Sequence, residues 1–174
     1  ILEPAPNTTH TYVRPKESDG AYIIFTSGST GKPKGVINNH LGIFNRILWM
    51  NNDLNISSND KILNKTSLMF DVSMWELLLP FYSGCVLIIA EKGKNSDPEY
   101  LCNLIAKYQV SIVHFVPIFL DIAYKVFKKF KFDSIRHIVC SGDVLKSSTI
   151  INTYSLLAKE AIINNYYGPT EAAI

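Results

Sequence analysis

Residues 21–35 read AYIIFTSGSTGKPKG, in which an apolar run leads directly into a loop of glycine, hydroxyl and lysine residues. Glycines let the backbone approach a phosphate closely and expose its N–H groups, while hydroxyls and lysine add hydrogen bonds and charge. The apolar run predicts a buried strand over Ala21–Phe25. The loop predicts a phosphate site, although it is not a Walker A loop, because it contains no Gly-Lys-Ser/Thr sequence.

Beyond this loop, short apolar runs alternate with amphipathic stretches, which predicts an α/β fold with a mostly parallel sheet flanked by helices. Asp97 and Pro98 predict the start of a helix that runs to Tyr108. Ser73 and Glu76 fit a capping box that opens a second helix. In such sheets ligands bind at the carboxyl ends of the strands. The further predicted strands are Lys61–Thr66, Cys85–Ala90, Ser111–Val116, Ile135–Cys140 and Ala161–Asn165.

Composition limits the class of protein. The chain has 174 residues, of which 47% are hydrophobic and 18% charged, and this suits one globular domain. We expect residues 1–20 to be an irregular lead-in and residues 21–174 to form the core. A net charge of +2 gives no sign of a nucleic-acid partner, and no apolar run reaches the ~20 residues of a membrane helix. The three scattered cysteines indicate reduced thiols and a cytoplasmic location.

Three further segments carry unusual residues just after predicted strands. They are FDVSMWE at 70–76, IVCSGDVL at 138–145 and NNYYGPTE at 164–171. Taken alone, Asp71 fits a helix cap and the Tyr-Gly-Pro-Thr sequence fits a plain turn. The order and spacing of all four segments together favour a ligand site.

These four segments resemble the motifs of the adenylate-forming superfamily, which includes acyl-CoA ligases, luciferases and the adenylation domains of non-ribosomal peptide synthetases. The resemblance implies a partial N-terminal core of such an enzyme, without the C-terminal subdomain that carries a catalytic lysine. The isolated chain is therefore expected to be inactive. The implied reaction joins an amino acid to AMP from Mg·ATP and then transfers it to a phosphopantetheine thiol. The implied partners are the peptidyl carrier protein and condensation domains of one assembly line for a secondary metabolite, with no nucleic acid and no membrane.

The resemblance also assigns the nucleotide site. Catalytic roles fall on Lys34, on Thr170 at the α-phosphate, and on Glu171, which would hold magnesium. Gly142 would lie against the adenine, Asn165 would bind its amine and Tyr167 would pack on its ring. Asp143 and Val144 stand where the family has glutamate and alanine. The implied phosphate loop comprises Thr26, Ser27, Gly28, Ser29, Thr30 and Gly31.

For the acyl substrate, the resemblance implies that Asp71 pairs with an α-ammonium group, which favours amino acids over fatty or aromatic acids. The implied pocket resembles that of serine-activating domains, except that Tyr166 replaces their usual leucine. His114, which alone would be a satisfied core histidine, and Ser141 suit a short hydroxyl, and Trp75 fills volume. L-Serine is the predicted substrate. The implied pocket residues are Asp71, Val72, Trp75, His114, Val139, Ser141, Tyr166 and Ile174.

Two alternatives stay open. An acyl- or aryl-CoA ligase would share most of these motifs. A non-catalytic nucleotide-binding remnant with a structural role would keep the phosphate loop.

Overall fold

The computed structural model of the chain describes residues 14–27 and 31–172. The described residues form a five-stranded sheet, a two-stranded hairpin and five α-helices. The hairpin strands are β1 Gly20–Thr26 and β2 Lys34–Asn39. The sheet strands are β3 Lys61–Asn64, β4 Val86–Ile89, β5 Ile112–Phe115, β6 His137–Cys140 and β7 Ile162–Asn165. The helices are α1 His40–Asp53, α2 Val72–Ser83, α3 Pro98–Tyr108, α4 Pro117–Phe127 and α5 Ser147–Tyr154, followed by a 3₁₀ turn over Thr170–Ala172.

The five-stranded sheet is parallel throughout, with the strand order β4-β3-β5-β6-β7. Phe115 pairs with Cys140, and Cys140 pairs with Asn165, so the carboxyl ends of β5, β6 and β7 are level. The predicted α/β class is confirmed. Residues that follow these strands therefore share one edge of the sheet.

Helices cover both faces of the sheet. Successive strand residues point to opposite faces. Leu63, Val113 and Ile138 therefore pack with α3 and α4 on one face. Their neighbours along the chain, Ile62, Ile112 and Val139, pack with α1 and α2 on the other. Burial on both faces explains why the central strands read as continuous apolar runs.

The predicted buried strand Ala21–Phe25 differs from the observed β1. It lies outside the parallel sheet and pairs antiparallel with β2, which the sequence analysis did not predict. Ile23 pairs with Ile37 across the hairpin, and these side chains, like Phe25, are exposed. A two-stranded hairpin can bury only one of its faces, here through Ile24.

The predicted capping box of α2 is wrong. Asp71, two residues earlier than expected, is the N-cap, and its Oδ1 accepts a hydrogen bond from the Val72 N–H at 2.8 Å. Ser73 Oγ instead donates to the Phe70 carbonyl at 2.6 Å. Glu76 turns away from the helix start and binds the residues that follow β3. By contrast, α3 begins as predicted, with Asp97 as its N-cap and Pro98 in its first turn.

The amino ends of the strands are held together by Asp60. Its carboxylate accepts hydrogen bonds from the hydroxyl of Ser111 at 2.8 Å and from Nε of Arg136 at 3.0 Å. Ser57 adds bonds from its backbone N–H and its hydroxyl. Burial alone would raise the pKa of Asp60, but these donors outweigh it and hold the pKa below its usual value. This network links the turn before β3 to the starts of β5 and β6, at the edge opposite the predicted site.

Candidate active site

A cavity of about 380 Å³ opens at the carboxyl edge of the parallel sheet, where the predicted site residues were expected. Its walls come from β5 and from the segments that follow β3, β4, β5, β6 and β7. Five predicted site residues line it, together with Lys65, Thr66 and Gly168, to which the sequence analysis gave no role. The five are Asp71, Val72, His114, Ser141 and Gly142.

Asp71 is the acidic group of this cavity. Only 9% of its surface is exposed. Besides capping α2, its carboxylate accepts a hydrogen bond through Oδ2 from the hydroxyl of Thr170 at 2.5 Å. A carboxylate offers about four acceptor positions. Asp71 therefore retains acceptor capacity toward the cavity.

Thr170 also contacts the hairpin. Its carbonyl accepts a hydrogen bond from Nδ2 of Asn38 at 2.9 Å, and Asn38 is a buried residue of β2. The hairpin that flanks the predicted phosphate loop is thus tied to the predicted amine-binding acid through one residue. Asn38 was not predicted, because an asparagine near the end of an unpredicted strand carries no distinct signal in the sequence.

His114 and Ser141 form a buried polar pair at the ends of β5 and β6. Nε2 of His114 lies 2.8 Å from the hydroxyl oxygen of Ser141. The ring of Trp75 meets the imidazole edge-on, with centroids 6.3 Å apart. Burial, assisted by the charge of Lys65, lowers the pKa of His114 to about 3, so the imidazole is neutral at physiological pH. Its Nδ1 is buried and has no hydrogen-bond partner among the described residues.

The other predicted pocket residues lie farther from the open space. Trp75 and Val139 are buried in the core beneath the cavity. Tyr166 packs instead on Trp49 of α1, with ring centroids 4.9 Å apart, and its hydroxyl donates to Asp53. Arg46 stacks over both rings. Tyr166 does not line the cavity, and Ile174 lies outside the described residues.

The predicted nucleotide residues lie in three separate segments of the chain. Gly142 lines the cavity with φ at +82°, a left-handed conformation that favours glycine. Asn165 ends β7, and Tyr167 is 94% exposed. Thr26 pairs with Lys34 in the hairpin, next to exposed Ser27. Gly31 is exposed with φ at +78°, and Gly28, Ser29 and Thr30 lie outside the described residues.

Glu171 is an exposed carboxylate in the 3₁₀ turn, next to Thr170. No group of three or more His, Cys, Asp or Glu side chains suited to a metal occurs within residues 14–27 and 31–172. Magnesium commonly binds through one or two carboxylates together with substrate phosphates. An exposed Glu171 at this edge fits that mode and not a dedicated protein cage.

Two further properties concern the whole described chain. Among its helices, none has the length and apolar character needed to cross a membrane. Cys85, Cys102 and Cys140 are free thiols.

Comparison with known proteins agrees with this fold. The model of the AMP-binding enzyme family matches residues 2–174, and the chain belongs to that family. The membership predicted from the four motifs is confirmed.

Several curated proteins are similar in sequence. Enterobactin synthase component F of Escherichia coli K12 is 39% identical over 88% of this chain and 12% of that protein. Vanchrobactin synthetase VabF of Vibrio anguillarum is 37% identical over 90% of this chain and 6% of that protein. Zwittermicin A synthase ZmaJ of Bacillus cereus is 39% identical over 91% of this chain and 31% of that protein. The chain thus spans less than a third of each of these relatives.

Two solved structures show the same fold. The Vibrio cholerae adenylation domain AlmE, in complex with glycyl-adenosine-5'-phosphate, superposes with a TM-score of 0.82 at 24% identity, covering 91% of this chain and 30% of that one. The non-ribosomal peptide synthetase FmoA3 superposes with a TM-score of 0.81 at 23% identity, covering 89% of this chain and 16% of that one. The α/β core matches the N-terminal part of adenylate-forming enzymes.

Proposed function

We propose that this chain is part of an adenylation domain that activates an amino acid with ATP for a non-ribosomal peptide synthetase. The observation that carries the proposal is the buried carboxylate of Asp71 on the cavity wall, in direct contact with Thr170. A substrate ammonium that leaves water needs a charged partner. The buried Asp71 supplies this partner. A carboxylic acid without an amine would leave the charge of Asp71 without a cationic partner.

Serine is the proposed substrate. The hydroxyl of Ser141 has one donor and two acceptor positions, so its contact with His114 leaves further capacity for a ligand hydroxyl. The neutral imidazole of His114 contacts Trp75, and its hydrogen bond with Ser141 fixes the orientation of the Ser141 hydroxyl. A cavity that hydrogen-bonds a substrate hydroxyl rejects analogues that lack it more strongly than analogues with one extra methyl group. We therefore expect alanine to be a poorer substrate than threonine, since Tyr166 does not narrow the cavity.

The nucleotide would bind along the exposed edge beside this cavity. Gly142, Asn165 and Tyr167 are the proposed adenine contacts, and residues 26–31 with Lys34 the proposed phosphate contacts. Thr170 would donate to the α-phosphate, and Glu171 would hold magnesium together with the phosphates. Magnesium, when bound there, supplies charge neutralisation. The residues of this chain would position the carboxylate of the amino acid against the α-phosphate of ATP. Such positioning and charge stabilisation dominate catalysis of this kind of reaction.

The relatives extend the proposal to partners. Enterobactin synthase component F, vanchrobactin synthetase VabF and zwittermicin A synthase ZmaJ are named as synthases or synthetases. We propose that the activated amino acid passes to a phosphopantetheine thiol on a peptidyl carrier protein in the same assembly line, next to condensation domains. A cytoplasmic location, where ATP is supplied, belongs to the same proposal.

The test is ATP–pyrophosphate exchange by the full-length protein that carries this chain, with each of the twenty amino acids in turn. The expected result is exchange that requires an amino acid and is largest with serine. A larger signal from an apolar amino acid would exclude serine as the preferred substrate but would still support amino-acid adenylation. Activity only with fatty or aryl acids and coenzyme A would identify an acyl- or aryl-CoA ligase, and nucleotide binding without exchange would identify a non-catalytic remnant.

A further inference from the structure

The backbone of Tyr166 lies beside the cavity, whereas its side chain does not line it. Its backbone N–H donates to the carbonyl of Cys140 at 2.8 Å, and Cys140 directly precedes Ser141 on the cavity wall. Gly168, two residues after Tyr166, also lines the cavity. The ring of Tyr166 packs on α1 instead. It is therefore placed to narrow the cavity as soon as its contacts with α1 are lost.

Three residues of α1 hold this ring, and we call them the Tyr166 clamp. Arg46, Trp49 and Asp53 are spaced i, i+3 and i+7, which places them on one face of the helix. The rings of Trp49 and Tyr166 are in contact, with their planes inclined by 58°. Cζ of Arg46 lies 4.8 Å from the ring centroid of Trp49 and 5.2 Å from that of Tyr166. The carboxylate of Asp53 accepts a hydrogen bond from the Tyr166 hydroxyl.

The place of Asp53 in the helix makes this hydrogen bond informative. Asp53 is the last residue of α1, where the helix dipole disfavours a negative side chain. Within the described part of the chain, its carboxylate forms no salt bridge, and its hydrogen bond is with Tyr166. The contact with Tyr166 therefore accounts for a carboxylate at a position that the helix itself does not favour.

The rest of the clamp also depends on packing against the ring. Trp49 is a large apolar side chain that remains 42% exposed. Nε of Arg46 is buried and has no hydrogen-bond partner among the described residues, which is unfavourable for a donor. The faces of the two aromatic rings offset part of this cost through cation–π contacts. Burial, together with the hydrogen bond to Asp53, raises the pKa of Tyr166, so its hydroxyl stays a donor.

We propose that the Tyr166 clamp keeps the ring of Tyr166 out of the cavity and thereby sets the largest side chain that the site accepts. With the ring on α1, the cavity of about 380 Å³ stays open. A released ring would become buried in the cavity, because an aromatic face that loses its partners favours burial over exposure to water. Asp53 is then a positioning residue that acts through Tyr166. This inference rests on the proposed function and deepens its account of specificity.

The first experiment measures the kcat/KM for threonine and for serine by ATP–pyrophosphate exchange in the full-length protein. Asp53→Ala should lower the threonine-to-serine ratio about tenfold, since one methyl group in a closely fitting pocket is worth roughly 10–200-fold. Alanine is the best helix former, so α1 should persist in this variant. Asp53→Asn keeps an acceptor oxygen and should stay within about twofold of the wild-type ratio. Asn52→Ala removes an exposed side chain from the same turn and is the matched control.

A double variant tests whether Asp53 acts through Tyr166. In Tyr166→Leu no ring remains to enter the cavity, so adding Asp53→Ala should not change the threonine-to-serine ratio further. An effect of Asp53→Ala that persists in the Tyr166→Leu background would overturn the proposal. An unchanged ratio in Asp53→Ala alone, including an equal loss for both substrates, would overturn it as well.

A second measurement does not depend on amino-acid activation. Tetranitromethane nitrates tyrosines through the phenolate, so Tyr166 should react slowly while Asp53 accepts its proton. Mass spectrometry should show Tyr166 nitrated at least severalfold faster in Asp53→Ala, with Tyr167, which is 94% exposed, as the internal reference. Equal nitration of Tyr166 in both proteins would overturn the proposal. Absence of amino-acid-dependent exchange in the wild type would remove the proposed function, and nitration would still decide whether the clamp holds the ring.

Discussion

The hydroxyl of Thr170 donates a 2.5 Å hydrogen bond to Oδ2 of Asp71, across 99 residues of sequence. The residue proposed for the α-phosphate is thus in contact with the residue proposed for the substrate ammonium. A threonine hydroxyl has a single proton to donate. It cannot donate to Asp71 and to a phosphate at the same time. An ammonium bound to Asp71 would release this hydroxyl for the phosphate.

Thr170→Val should therefore uncouple the two ligands. In the wild type, serine should strengthen the binding of a non-hydrolysable ATP analogue by about fivefold or more, a usual size for coupling between sites. Valine has the shape of threonine without the hydroxyl, so this dependence should disappear, whereas Thr170→Ser should keep it. Isothermal titration with and without serine measures the effect. Coupling that persists in Thr170→Val would contradict this role for the hydroxyl.

Lys34→Ala should depress ATP–pyrophosphate exchange. Lys34 opens β2 beside the predicted phosphate loop, where its exposed ammonium is available to a phosphate. Removal of one positioned electrostatic donor costs about 10²–10³ in rate. Lys32→Ala, an exposed lysine two residues earlier, is the matched control and should keep nearly full activity. Equal rates for both variants would show that Lys34 has no special position.

Ser141→Ala should reduce the preference for serine. The change removes a hydroxyl from the cavity wall and leaves Nε2 of His114 without its partner. We expect the kcat/KM for serine to fall roughly tenfold while that for alanine changes little. Ser73→Ala removes another buried hydroxyl, which bonds Phe70 and does not line the cavity, and should leave the ratio unchanged. A parallel loss for both substrates would argue against contact with the substrate hydroxyl.

Asp60→Asn should destabilise the fold without changing substrate preference. Removal of the carboxylate charge weakens the bonds to Ser57, Ser111 and Arg136, at a cost of about 2–4 kcal/mol in the free energy of unfolding at pH 7. Because the pKa of Asp60 is lowered in the folded state, its contribution is present above about pH 4 and is lost as the pH falls through the folded value. Urea unfolding at pH 7 and at successively lower pH should show the difference between the two proteins narrowing as the pH falls below about 4. Asp133→Asn, an exposed acid, serves as control.

His114 should make the protein sensitive to mild acid. The folded imidazole has a pKa of about 3, whereas the unfolded one takes up a proton near pH 6.5. Between these values the unfolded state binds more protons, so the free energy of unfolding falls as the pH falls, by roughly 1.4 kcal/mol per pH unit. His114→Gln should remove this slope from pH 6.5 to 4. Identical slopes in the wild type and the variant would mean that His114 is protonated readily in the fold.

The sequence predicted the parallel sheet well, because its central strands are continuous apolar runs that are buried on both faces. The hairpin was not predicted, because β1 is as apolar as a strand of the parallel sheet. Its apolar residues suggest burial, although Phe25 is in fact exposed. The motifs located Asp71, His114 and Ser141 at one cavity. The role of Asn38 could not be predicted, because its contact with Thr170 joins segments that are distant in the sequence. Glu76 shows the same limit, as its spacing suits a capping box but its carboxylate serves the turn after β3.

The hydrogen bond from Asn38 to Thr170 closes a span of 132 residues. Contacts this distant in sequence form late, because most of the chain must be ordered before their ends meet. A chain that ends before residue 170 would leave the buried amide of Asn38 without its acceptor and Asp71 without the hydroxyl of Thr170. The hairpin would therefore attach to the carboxyl edge of the sheet only after the segment that follows β7 is ordered.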